Sequence, residues 1–204
     1  MKDLRYVGMK EYMYNIRELL IVVDMVNGFT KDGSLHDPSI MKIVPEIKSL
    51  IDDYFKENVF FFRDCHTTHS IEFNDFPPHC LFGDRESEII DELNGYSING
   101  NTFYKNSTSG LFAPYFLDYI ESMEKLDSVV ITGCCTDLCV MNLAIPLKCY
   151  FNENNRRVNV IVPEDAVETY DIPESHNAEE YNEMALKLMK LNGVKVIKHF
   201  GGNK

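Results

Sequence analysis

The chain has 204 residues, 45% hydrophobic and 25% charged, with a net charge of -12 and neither charge blocks nor repeats. That length and composition describe one compact globular domain, and the acidic balance argues against nucleic-acid backbone binding, which needs clustered Lys and Arg. Its partners are expected to be small molecules or proteins, with self-association left open.

Leu19 to Val23 is a strand-length apolar run, and Pro38 to Tyr54 follows with Ile40, Ile43, Val44, Ile47, Leu50, Ile51 and Tyr54 at helical spacing. Val59 to Arg63 predicts a second strand, followed by a polar, Pro-containing loop and a short helix over Arg85 to Leu93. Ser97 to Tyr104 predicts a third strand, with Phe112, Phe116, Tyr119, Ile120 and Met123 on one face of the next helix. Val129 to Thr132 is a fourth strand, and a helix from Thr136 or Asp137 to Lys148 follows, with Pro146 expected to kink or break it. Val158 to Val162, a helix over Glu179 to Leu191 closed by Asn192-Gly193, and Val194 to Ile197 complete the order.

Alternating strands and helices with short links predict an α/β fold: a three-layer α/β/α sandwich around a mostly parallel six-stranded sheet of order 3-2-1-4-5-6. The run "LLIVVDMV" is too short to cross a bilayer and is interrupted by Asp24, so no membrane contact is expected. The location is read as cytoplasmic. Cys65, Cys80, Cys134, Cys135, Cys139 and Cys149 are then reduced thiols and not a disulfide framework.

Four strands carry reactive side chains just past their apolar runs: Asp24, then Asp64 and His66, then Lys105, then the cysteines of "GCCTDLCV". Taken singly, an Asp after a strand is ordinarily a turn or cap residue, and a buried Cys is ordinarily a small hydrophobe. Together they fall on the carboxyl rim of the sheet, where parallel α/β folds bind ligands. The cysteine spacing lacks Cys-x-x-Cys and lacks a second close-spaced pair for structural zinc, so a nucleophile is the best reading. Cys139 would lie in the first turn of a helix, where the dipole and a nearby Lys105 favour thiolate, with Asp24 as its base. The Cys135 and Cys139 N–H groups could hold an oxyanion. In "DCHTTHSIEFNDFPPHC", Asp64 and His66 point to one side of an extended backbone and the Pro-Pro turn can return His79 to them. One carboxylate and two imidazoles suit a divalent metal, zinc first, with iron or manganese as alternatives.

These residues bring a family resemblance. The chain resembles the nicotinamidases of the isochorismatase-like cysteine hydrolase superfamily through "VVDMVNGF", "RDCH" with "FPPHC", "FYKNSTSGLF" and "GCCTDLCV". The resemblance implies one such domain over residues 1–204, with Asp24 the general base, Lys105 the catalytic lysine and Cys139 the attacking sulfur. It implies Asp64, His66 and His79 as metal ligands, with Glu72, seven residues before His79, as a fourth. It also implies a cis peptide at Cys134–Cys135. Cys134 is expected to be structural or to border the substrate, and Phe29 and Phe76 to wall the substrate ring. The implied activity is hydrolysis of nicotinamide to nicotinate and ammonia through a Cys139 thioester, a step of NAD salvage. Two departures bear on the substrate: the family's opening Asp-x-Gln-Asn-Asp-Phe is here Asp24-Met25-Val26-Asn27-Gly28-Phe29, and its tryptophan before the metal histidine is Phe76. Another small amide or ureido substrate is therefore the alternative, with a non-enzymatic thiol or metal sensor as a third reading.

Overall fold

The computed structural model describes residues 13–98 and 100–200. Its strands are β1 (Glu18–Val23), β2 (Val59–Asp64), β3 (Thr102–Lys105), β4 (Ser128–Cys134), β5 (Asn159–Pro163), β6 (Val167–Glu168) and β7 (Lys195–Ile197). Its α-helices are α1 (Asn27–Thr30), α2 (Val44–Asp52), α3 (Asp91–Asn94), α4 (Phe116–Ser122), α5 (Met141–Glu153) and α6 (Ala178–Leu191). The sheet order is β3-β2-β1-β4-β5-β7, every pairing is parallel, and β6 pairs with β4 off this path. The expected order thus stands, with one additional two-residue strand making seven.

The layers follow from period-two side-chain alternation in buried strands. Leu19, Ile21 and Val23 of β1 join one core cluster with Phe116, Leu143, Leu147, Phe151 and Met189, so α4, α5 and α6 cover that face. Leu20 and Val22 join the other with Ile47, Leu50, Ile51 and Leu93, so α2 and α3 cover the opposite one. Each fully buried Leu, Ile or Val here stabilises by about 1.5–3 kcal/mol. β1 and β4, whose strand cores are buried on both faces, therefore fix the centre of the sheet.

Four local expectations need correction. Strand 3 begins at Thr102 and not at Ser97: the Asn101 side chain accepts from Ile98 N at 2.8 Å and donates to Tyr96 O, holding a turn. The expected helix over Arg85 to Leu93 splits into a 3-10 turn, Arg85–Ser87, and α3. Between them the backbone bonds elsewhere: Asn27 N donates to Glu88 O and Ile90 N to Met25 O, and these bonds compete with helical ones. Phe112 leaves the face of α4 for a 3-10 turn and is 74% exposed, with Tyr115 in left-handed conformation between. Lastly, Pro146 does not end its helix, which runs on to Glu153. Proline frees the carbonyl four residues back, that of Asn142; Ser109 Oγ donates to this oxygen at 2.7 Å.

Among the described residues, no helix is long and apolar enough to cross a membrane. The described cysteines are all free thiols, Cys149 exposed and the other five buried.

Candidate active site

Where β1 and β4 end side by side, Val23 pairs with Gly133. Gly133 has φ +106, and a Cβ there would lie 2.0 Å from the Val23 carbonyl oxygen, so only glycine permits this approach. Past this point the chains part into Asp24, itself at φ 49, and the Cys134–Cys135 bond, which is cis as the resemblance implies. The turn that follows, Thr136–Val140, is a π-helix in which Val140 N donates to Cys135 O, and it leads directly into α5. Such one-turn π segments recur at functional sites.

Three strands and this turn deliver one buried cluster. Lys105 Nζ lies 2.8 Å from Asp24 Oδ2, 2.6 Å from Asp64 Oδ1 and 3.6 Å from Cys139 Sγ. Lys105 donates a hydrogen bond to Asp64 and pairs in charge with Asp24. Lys105 is 2% exposed and Asp24 is fully buried, so water screens neither. Burial pushes the Asp24 carboxyl up to about 6 against the pull of Lys105, with the Asp64 charge adding to the rise. Burial would lower the Lys105 ammonium, but Asp24 and Asp64 outweigh it and hold it well above the usual lysine range.

Cys139 corrects the expectation of a resting thiolate. Burial pushes its thiol well above the usual range; Lys105 opposes this, but the Asp24 and Asp64 charges add to it. Lys105 acts in the expected direction without winning. A thiol raised in this way favours loss of its proton as a bond forms, and the Asp24 carboxyl stands beside it.

Asp64 turns its other oxygen to the histidines. Oδ2 lies 2.8 Å from His66 Nε2 and 2.9 Å from His79 Nε2, and Glu72 Oε1 is 3.7 Å from His66 Nε2. Each of these four residues offers a ligand atom within 4.8 Å of the others. Exposed His69 is not in the group. His79 Nδ1 donates to the Pro77 carbonyl at 2.8 Å, which places a proton on Nδ1 and leaves Nε2, in neutral imidazole, as a lone pair facing a carboxylate oxygen. Two acceptors at 2.9 Å require a proton or a cation between them, and a divalent ion meets that requirement for the whole set. His66 Nδ1 is engaged too, 2.9 Å from Asn106 Oδ1 and 3.2 Å from Ser70 Oγ. Burial pulls the Asp64 carboxyl upward, but Lys105 and His66 hold it well below the usual carboxylate range.

Above both clusters lies a narrow cavity of about 40 Å³. Phe29, Phe76, Asp64, Glu72, His79, Cys135 and Cys139, all singled out in the sequence, line it together with Leu35, Thr108, Leu138 and Tyr170, which were not. Cys134 does not border the cavity: it is fully buried, and its Sγ donates to the Asp24 carbonyl at 3.2 Å, which leaves only its structural role. Asn106, directly after Lys105, could have been found as a polar neighbour in the motif. Nothing in the sequence marks Tyr170, which follows a strand too short to show periodicity. A larger groove, along β3 and α4, is lined by Thr102, Tyr104, Tyr115 and Tyr119 and gathers none of these reactive groups.

A family model described as the isochorismatase domain matches residues 18–199. Nicotinamidase 1 of Arabidopsis thaliana is 26% identical over a 213-residue alignment covering 87% of this chain and 84% of that one. Among solved structures, N-carbamoylsarcosine amidase from Thermoplasma acidophilum superposes with a TM-score of 0.69 at 25% identity, covering 92% of this chain and 100% of that one. The pyrazinamidase of Pyrococcus horikoshii, solved in complex with zinc, superposes with a TM-score of 0.69 at 25% identity, covering 90% and 99%.

Proposed function

The chain belongs to the isochorismatase family, and from that premise we propose that it is a metal-containing cysteine amidase that converts nicotinamide to nicotinate and ammonia. One observation carries the reading: Asp24, Lys105 and Cys139 meet in one buried cluster that shares Asp64 with a four-residue ligand set, under a cavity bordered by Phe29 and Phe76.

In this reading Cys139 Sγ attacks the carboxamide carbon while its proton passes to Asp24, whose pKa of about 6 leaves it ionised at neutral pH. Lys105, charged throughout, stabilises the sulfur as it gains negative charge. The N–H groups of Cys135 and Cys139 receive the oxyanion. Asp24 then delivers its proton to the nitrogen as the C–N bond breaks and ammonia leaves, giving the acyl-thioester. Water attacks the thioester, Asp24 takes its proton, and collapse releases the acid and returns the proton to sulfur. Asp64, His66, Glu72 and His79 would hold a divalent ion, zinc first, which when bound supplies an anchor for the ring nitrogen, directly or through water. Phe29 and Phe76 would clasp the ring faces.

A second reading, a different small amide or ureido substrate, draws support from Val26 and Gly28 in the opening motif and from the likeness to N-carbamoylsarcosine amidase. The test is ammonia release from nicotinamide against a panel of small amides and ureido compounds, with bound-metal analysis of the same purified sample. Turnover of nicotinamide above the panel, lost in Cys139→Ala with metal content kept, is the expected result. Preference for a compound without a ring would replace the first reading by the second, and no ammonia from any would leave the sensor.

A further inference from the structure

The loop after β6 is fastened to the turn that carries Cys139. Val167 and Glu168 pair with Gly133 and Cys134 of β4. Thr169 Oγ1 donates to Asp137 Oδ1 at 2.6 Å, and His176 Nε2 lies 2.9 Å from Asp137 Oδ2. Asp137 sits two residues from Cys139 and is buried, so both of its oxygens are occupied in holding this loop. Ile172 and His176 exchange backbone hydrogen bonds at 2.9 Å, closing the loop on itself.

Within it, three rings form a stack. His176 lies 4.0 Å from Tyr170 at 18° and 3.8 Å from Tyr181 of α6 at 26°, centroid to centroid. His176 Nδ1 also bonds the Tyr170 carbonyl at 2.9 Å. Tyr170 is thus fixed in backbone and in ring plane, and it borders the cavity beside Cys135, Leu138 and Cys139. A flat apolar surface held so firmly loses little entropy when another ring packs on it.

From this geometry we infer that Tyr170 is the specificity-determining wall that lets the cavity prefer aromatic amides over small ones, and that His176 is its positioning residue. The inference deepens the amidase reading and rests on its nucleophile, but the test needs no turnover. Native protein is treated at neutral pH with iodoacetamide or with its N-phenyl derivative, and carbamoylmethylation at each cysteine is read by peptide mass spectrometry. The exposed Cys149 serves as reference within the same chain.

In the wild type, the ratio of N-phenyl to parent reagent rates is expected to be higher at Cys139 than at Cys149. Tyr170→Ala should lower the ratio at Cys139 about tenfold and leave that at Cys149 unchanged. His176→Ala should lower it similarly, and His176→Gln, which keeps a polar partner for Asp137 but removes the ring, should do the same if the former fails to fold. Because His176 acts through Tyr170, the Tyr170→Ala/His176→Ala pair should lose no more than Tyr170→Ala alone. Equal ratios at the two wild-type cysteines, an unchanged ratio in Tyr170→Ala, a native Cys139 inert to both reagents, or additive losses in the pair would each overturn the inference. The expected ratios without ammonia release from nicotinamide would sink the proposed substrate and leave Tyr170 standing.

Discussion

Lys105→Met removes the one cation in the buried cluster, and its effect can be worked from the distances. An ammonium 3.6 Å from Cys139 Sγ stabilises a thiolate by roughly 5 kcal/mol at an effective dielectric of about 20, or about three pKa units. Part of this is returned. Without Lys105, Asp24 has no counter-charge and takes up a proton more readily, and the repulsion on the sulfur falls. The net rise should still be at least about one unit, so Cys139 should alkylate about tenfold more slowly near neutral pH, since the rate follows the thiolate fraction. Removing one partner of a buried ion pair also costs about 3–5 kcal/mol of stability, a fall in Tm on the order of 10 °C. The assay is the rate of iodoacetamide labelling at Cys139 by mass spectrometry, at a temperature where both proteins are folded by circular dichroism. A rate within twofold of wild type would refute the electrostatic role.

Three further outcomes are expected. Because Asp24 must be ionised to accept a proton and its pKa is raised to about 6, kcat/KM should climb with pH through about 6 and level above it; a limb near pH 4 in the pH–rate profile would show that burial does not raise this carboxyl, and an unchanged limb in Asp24→Asn would show that another group is the base. His79→Ala should lower the bound metal per chain by ten- to a hundredfold at limiting metal and leave a folded protein, as measured by elemental analysis after dialysis. Ser109→Ala should strip the Asn142 carbonyl of its donor beside Pro146 and destabilise by about 1–3 kcal/mol in urea unfolding, and a value near zero would mean the carbonyl finds another partner.

What could be read in the sequence was what local chemistry writes into it. The apolar runs of β1, β2 and β4 are buried on both faces of the sheet, so hydrophobicity alone marks them, and alternation with helices fixes their order. The reactive side chains could be read because each follows such a run. β6 could not, since two residues carry no period, and with it went Tyr170 and the loop that holds it. Long-range hydrogen bonds undid other expectations: those between Met25–Asn27 and Glu88–Ile90 split one helix, and the one from Ser109 rescued another. The resting state of Cys139 lay out of reach for a similar reason. A charge balance among Asp24, Asp64 and Lys105 depends on depth and distance, and neither is written in spacing along the chain.

Asp64 serves two masters through two oxygens, one bound to Lys105 and one turned to the imidazoles. A substitution there cannot distinguish loss of the ion from loss of the lysine's anchor, so ligand mutagenesis is cleaner at His79. The same sharing constrains descent. A lineage that discards the ion must either retain this carboxylate for its bond to Lys105 or supply Lys105 with a new counterweight before letting it go.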